Sequence, residues 1–185
     1  IPVITSWVAG ALIWKWVLSP EYGAINNILA LFGIEGPSWL QSSKWAMPAI
    51  VLASVWKDMG YFGLMLMSGL QGINQEYYDA AAIDGAGKIK QFTRITLPLL
   101  TPTLFFVLII SLINSFQLFT QIMIMTPDGG PLGSTMVMVE RIYKCGFRYY
   151  EMGTAAAYSW ILFAILLLLT MVQMKLQNKW VNYDD

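Results

Sequence analysis

Histidine is absent from this chain, and cysteine occurs once, at Cys145. The first absence removes the side chain most used as a metal ligand and as a general acid or base near neutral pH. The second excludes an internal disulfide framework, and a lone thiol without an imidazole beside it is poorly equipped for nucleophilic catalysis. Charge is also scarce. Only 12% of the 185 residues are Asp, Glu, Lys or Arg, whereas a soluble domain carries about 25%. The 11 basic and 11 acidic side chains cancel, so no basic surplus points to nucleic acid. What is abundant is apolar: 57% of the chain, gathered in long blocks. That composition belongs to an integral membrane protein whose solvent is the lipid bilayer.

The chain opens on Ile1-Pro2 inside an apolar run, with no basic segment or cleavage site ahead of it. It does not read as a signal peptide, and the expectation is a fragment whose N-terminal part is missing. Four spans can be drawn, at about 3–18, 47–70, 99–125 and 153–174, within one transmembrane domain covering 1–185. The first is short against the roughly 20 residues a span needs. Trp14 and Trp16 near its end suit an interfacial belt. Residues 21–46 form a connector whose apolar piece, Ile25 to Phe32, can lie along the membrane surface. Thr126-Pro127-Asp128-Gly129-Gly130-Pro131 breaks the chain sharply after the third span. Residues 132–152 look interfacial and amphipathic.

With four spans, the loop 71–97 and the polar tail from Lys175 share one side. That side carries Lys88, Lys90, Arg94, Lys175 and Lys179, against Lys44, Arg141, Lys144 and Arg148 on the other. The positive-inside rule leans toward a cytoplasmic loop.

The loop is the most informative stretch. Asn74 is suited to cap a helix starting at Gln75, and Glu76 and Asp79 favour its positive end. Ala80-Ala81-Ala82 is a strong helix-forming triplet. Gly85 permits a turn with positive φ. A second, amphipathic helix follows, with Ile89, Phe92 and Ile95 on one side, and Pro98 marks the junction with the next span. A polar connector with helical content would have the same composition. Gly85-Ala86-Gly87-Lys88 hints at a phosphate-binding loop, but the first glycine of that motif is replaced by Ala82 and its Ser or Thr by Ile89.

The spacing Asp79-Ala80-Ala81, Asp84-Gly85-Ala86, Phe92, Ile95 and Pro98 resembles the Glu-Ala-Ala signature of importer permeases. These are the membrane subunits of binding-protein-dependent ATP-binding-cassette (ABC) importers. Asp79 departs from the usual Glu but keeps its charge. Thr96-Leu97-Pro98-Leu99-Leu100-Thr101-Pro102, Ser115-Phe116-Gln117-Leu118-Phe119, the Thr126 to Pro131 break and Trp180-Val181-Asn182-Tyr183 are similar to the carbohydrate branch (maltose, glycerol-3-phosphate and lactose types). The resemblance implies an all-α polytopic bundle of the type I importer fold, with four of about six spans present. It implies a multi-pass protein of the bacterial plasma membrane, not itself an enzyme. It implies a cytoplasmic loop docked on an ATPase subunit, a second permease, two ATPases and an external sugar-binding protein. ATP and Mg would be held by the ATPases, leaving this chain without a cofactor or metal site.

Polar residues inside spans mark a candidate pathway, because they are costly there and usually face the bundle interior. Ser111, Asn114, Gln117/Leu118 and Gln121 recur at helical spacing in the third span, beside Ser115. Amides both donate and accept, as a polyhydroxylated solute requires; interhelical packing would use the same residues. Ser54, Lys57, Asp58 and Tyr61 lie in the second span, and the maltose-type resemblance implies contacts near these positions and near Ser111, Asn114, Ser115 and Leu118. Lys57 and Asp58 are about 100° apart on a helix, so each is expected to face water or a partner chain. An ion pair with the second permease is the alternative. A cation such as Lys57 would also suit an importer for a phosphorylated polyol; an amino acid or peptide importer, or a structural membrane subunit, also remains open.

Overall fold

The computed structural model describes residues 2–181. Ile1 and residues 182–185 lie outside the described residues, and with them Asn182 and Tyr183 of the tail resemblance. In chain order the helices are α1 Trp7–Val17, α2 Ala24–Leu31, α3 Ala46–Gln71, α4 Gln75–Ile83, α5 Lys88–Gln91, α6 Leu97–Leu99, α7 Thr101–Phe116, α8 Thr120–Met125, α9 Met138–Tyr143 and α10 Met152–Trp180. Short 3-10 turns occupy Pro2–Ile4, Pro127–Gly129 and Pro131–Gly133, and π-helical turns occupy Phe92–Thr96 and Lys144–Arg148. No strand occurs among the described residues.

Two described helices, Ala46–Gln71 and Met152–Gln177, are each long and apolar enough to cross a membrane. A bent pair, Lys88–Leu99 with Thr101–Phe116, makes a third if taken as one span. Two of the expected spans differ in form. Where residues 3–18 were expected to be one helix, α1 begins only at Trp7, because the Ser6 side chain caps it by accepting from the Ala9 amide at 3.2 Å. Where 99–125 was expected to be continuous, the helix stops after Phe116 and restarts at Thr120, with Phe119 at φ −141° and ψ −65°. Backbone groups freed by such a break are tolerated at membrane depth only when buried in protein or lining a wet cavity.

The chain divides into two contact units, Ile1–Gly60 with Ser115–Ala164, and Tyr61–Asn114 with Ile165–Asp185. In the first unit, Ala11 and Leu18 of the α1 region, Ala49, Ile50 and Ala53 of α3, and Ile122 and Met125 of α8 form an apolar core. α1 packs closely along α8, and Trp14 stacks edge-on against Trp56 of α3 at 5.8 Å. Asn26 organises the connector. Its amide nitrogen donates to the carbonyls of Pro20 and Pro37, and its oxygen accepts from the Trp39 indole at 2.7 Å. The break after α8 is built from left-handed residues, Asp128, Gly129, Gly130, Leu132 and Gly133. Thr135 closes it with a 2.9 Å hydrogen bond to Thr126.

In the second unit, α3 and α7 meet closely at Gly69. A Cβ there would lie 2.5 Å from Thr103 Oγ1 and 2.9 Å from Leu100. Only a glycine permits that approach.

Candidate functional site

The loop folds from local capping chemistry. Asn74 is the N-cap of α4, and its side-chain oxygen accepts from the Glu76 amide at 3.1 Å. Gln75 reaches Asp79 one turn later at 3.4 Å. At the other end the Ala86 amide donates to the Ala81 carbonyl at 2.9 Å and the Gly85 amide to Ala82 at 3.1 Å. This is a Schellman cap, with Gly85 at φ +73°. α5 then starts from Gly87 and continues into the π-helical turn.

The turn has a cause in the sequence. Pro98 has no N–H to give the Arg94 carbonyl, so the helix widens ahead of it, and the Leu97 amide bonds to Phe92 five residues back. Pro102 likewise leaves the Pro98 carbonyl without its helical partner, and the Thr101 hydroxyl supplies one at 2.6 Å. The axis bends by 61° between Lys88–Leu99 and Thr101–Phe116.

The signature residues present a surface. Asp79, Ala80, Asp84, Gly85 and Phe92 are exposed, while Ala81, Ala86, Ile95 and Pro98 are half-buried. Ile83 and Ile89 are 88% and 83% exposed. Among the described residues, neither Asp79 nor Asp84 enters an ion pair. A Cβ on Gly85 would meet nothing within 4 Å. The apolar side chains and the turn thus face open space.

The candidate pathway residues fall differently. Lys57 is buried, and its ammonium donates to the carbonyls of Pro2 at 2.7 Å and Val3 at 3.2 Å, with the Trp7 ring 6.0 Å away. The expectation of water or a partner chain is met instead by backbone of the same chain, in the turn that precedes α1. The Ser54 hydroxyl is buried without a hydrogen-bond partner among the described residues. Asp58 is half-buried beside Lys57, and Tyr61, in the second unit, is exposed and packs edge-on against Phe62 at 5.6 Å. Ser111 in α7 donates to the Leu108 carbonyl at 3.0 Å. Asn114, Ser115 and Gln117 are exposed, Leu118 is half-buried and Gln121 is buried. They flank the break between α7 and α8.

A cavity of about 500 Å³ in the first unit is lined by Lys15, Ser19, Tyr22, Gln41, Thr126 and Pro131 among others, and by none of the pathway residues. No cluster of His, Cys, Asp and Glu among the described residues is arranged to hold a metal ion.

Residues 2–183 match the family described as "Binding-protein-dependent transport system inner membrane component". The chain belongs to this family. It is 35% identical over 185 residues to the probable ABC transporter permease protein YesP of Bacillus subtilis, covering 99% of this chain and 59% of that protein. It is 38% identical to the sulfoquinovosyl glycerol transport system permease protein SmoG of Agrobacterium fabrum, covering 89% and 53%. It is 34% identical to the sn-glycerol-3-phosphate transport system permease protein UgpA of Shigella flexneri, covering 100% and 62%. The chain therefore spans just over half the length of these relatives.

Among solved structures, a bacterial ABC transporter involved in import of the acidic polysaccharide alginate matches with TM-score 0.85 and 25% identity, covering 96% of this chain and 62% of that one. The same kind of transporter in complex with a pentasaccharide-bound periplasmic protein has the same fold, with TM-score 0.86. The all-α importer permease architecture expected from the loop resemblance is thus the fold of this chain. As a member of this family, it is an inner-membrane component of a binding-protein-dependent transport system.

Tyr78 and Thr96 were missed by residue-type reading. Their hydroxyls share a 2.8 Å hydrogen bond across 18 residues. Nothing in local spacing signals such a pair.

Proposed function

We propose that this chain is the membrane-spanning subunit of an ATP-driven bacterial importer for a carbohydrate or glycerol derivative. It forms half of the translocation pathway and couples to an ATPase through residues 71–97. The observation that carries the reading is the loop. Exposed Ile83, Ile89 and Phe92 lie within seven residues of a left-handed Gly85 with empty space above it. An apolar surface of this kind on a polar loop marks a protein partner.

In this reading the loop is cytoplasmic in the plasma membrane. Two ATPase subunits hold ATP and Mg, a second permease completes the pathway, and an external sugar-binding protein delivers the solute. Alternating access follows when ATP-driven closure moves the docked loops and the spans rock around a central site. The break at Gln117–Phe119 supports a pathway there, since interrupted helices in transporters line the solute site. Relatives named for sulfoquinovosyl glycerol and sn-glycerol-3-phosphate transport, and a structural neighbour involved in alginate import, support the solute class.

Affinity purification of the full-length complex tests both halves of the proposal. An ATPase subunit is expected to co-purify, and mass spectrometry of the external component is expected to identify a bound glycoside or polyol derivative. Isolation of an intact complex without an ATPase would leave a structural membrane subunit as the better reading. Asn114→Leu is expected to raise KM for uptake about fivefold or to change solute preference, as loss of one hydrogen bond of typical strength does. Unchanged uptake kinetics would make the α7–α8 polar residues helix-packing groups.

A further inference from the structure

We infer that the open face of the arm Lys88–Leu99, carrying Lys90, Thr93, Arg94 and Leu97, lies on the membrane surface and binds anionic phospholipid headgroups. The inference rests on the reading of 71–97 as a coupling loop that stands at the cytoplasmic leaflet.

The arm has two sides. On one, Gln91 and Ile95 are half-buried, Thr96 is buried, and the Thr96 hydroxyl meets that of Tyr78 in α4 at 2.8 Å. The Gln91 side chain donates to the Ala86 carbonyl at 3.1 Å. That side is covered by the rest of the loop. Lys90, Thr93, Arg94 and Leu97 recur at i, i+3, i+4 and i+7, the spacing of one helical face, and all four are exposed. Ile89 and Phe92, which the coupling reading assigns to the ATPase, fall outside this stripe.

Charge and depth decide what covers the open face. No Asp or Glu occurs in the sequence between Asp84 and Asp128. Among the described residues, neither Lys90 nor Arg94 enters an ion pair. The face is thus cationic, with Leu97 at the end nearest the span. The bend sets its height. A straight continuation of α7 would carry Lys90 about 15 Å beyond Leu100, clear of the bilayer. With α7 along the membrane normal, the 61° bend brings Lys90 to about 7 Å and Arg94 to about 4 Å. The headgroup zone of one leaflet is about 5–8 Å thick. Both cations therefore stand at headgroup level and Leu97 at the hydrocarbon edge, as in a basic interfacial helix. Anionic lipid supplies the missing counter-charge. An acidic patch on the ATPase is the competing occupant, and the height of the face favours lipid.

The test uses the full-length complex in nanodiscs of phosphatidylcholine with increasing phosphatidylglycerol. Native cysteines are replaced, and a nitroxide is placed at Thr93→Cys, an exposed position within the face. Its collisions with a water-soluble nickel chelate and with membrane-soluble oxygen report its depth. In the parent protein, phosphatidylglycerol is expected to lower chelate access relative to oxygen, and about 0.5 M salt to reverse the change. The phosphatidylglycerol fraction giving half of the change is expected to rise about fivefold in Lys90→Gln or in Arg94→Gln, the typical worth of one cation near an anionic surface. The double Gln variant is expected to lose the response and keep the ATPase. Exchanging the two cations, Lys90→Arg with Arg94→Lys, keeps the response. An equal response in the parent and the double Gln variant would overturn the lipid contact, as would no response in the parent. Loss of the ATPase from the double Gln variant in every lipid mixture would give the face to the ATPase and overturn it too. Gly85→Asp reports separately on the underlying reading: if that variant keeps the ATPase, the coupling assignment fails, while the depth of the Thr93→Cys label still decides the lipid contact.

Discussion

Gly85→Asp is expected to abolish solute uptake, by about 100-fold or more, while leaving the protein inserted in the membrane at normal abundance. The two halves of this expectation come from different observations. Gly85 has φ +73°, a conformation in which a side chain costs about 1 kcal/mol. Asp is among the residues that tolerate it best. The added Cβ meets nothing within 4 Å, so no steric term is added inside the chain. A cost of that size is too small to unfold the membrane spans that flank the loop.

The emptiness above Gly85 is what makes the substitution severe in the assembled transporter. If an ATPase surface closes on the turn, a carboxylate placed there is desolvated against a partner without its own counter-charge. Central interface positions of this kind cost about 3 kcal/mol when disrupted, or roughly 100-fold in binding. Gly85→Ala carries the same backbone strain without the charge and the bulk. It is expected to retain a substantial part of the uptake. The measurement is initial uptake rate alongside the amount of permease in the membrane and of ATPase recovered with it. Normal uptake by Gly85→Asp would remove the docking assignment.

What could be read from the sequence, and what could not, divides along the range of the interactions. The caps of α4 were legible because an N-cap Asn and a left-handed Gly act on backbone groups a few residues away. Asn74 and Gly85 occupy those roles in the structure. The apolar blocks were legible as membrane helices for the same reason, since hydropathy is a sum over neighbours. The interruption at Gln117–Phe119 was not legible. A run from Leu99 to Met125 is apolar enough to be one helix, and hydropathy has no term for a missing hydrogen bond.

Lys57 illustrates the longest range. Its residue type and its place in a span demanded some compensation, but the carbonyls that supply it belong to Pro2 and Val3, more than 50 positions away. Tyr78 and Thr96 are a similar case: each hydroxyl looks like an ordinary loop residue until the chain folds back.

Lys144→Met is expected to destabilise the segment after α8 by about 3–5 kcal/mol, the cost of leaving a buried charge without its partner. Glu140 is fully buried, and Lys144, one helical turn later, reaches it at 3.1 Å with its own side chain 8% exposed. Neither carboxylate oxygen of Glu140 has a hydrogen-bond partner of good geometry among the described residues. The ammonium is therefore the main compensation for that charge. Lys144 also lies 3.5 Å from Asp128, which pairs with Arg148 on the surface. Arg148, by hydrogen bond and charge, holds the Asp128 carboxyl below its ordinary value. A depressed carboxyl stabilises the fold above its ordinary pKa and loses that contribution only as pH falls below it. Asp128 thus stays ionised at pH 5, and its pairing with Arg148 survives mild acid.

The exposed Asp128–Arg148 pair is worth little by comparison, so Asp128→Asn should shift the melting temperature far less than Lys144→Met. Replacing both members of the inner pair, Glu140→Met with Lys144→Met, removes the stranded charge and is expected to recover most of the loss. Thermal unfolding of the purified complex, followed by limited proteolysis at 126–151, distinguishes these variants. A single Lys144→Met protein that melts with the parent, or a double variant no better than the single, would show that Glu140 draws its stability from some other group.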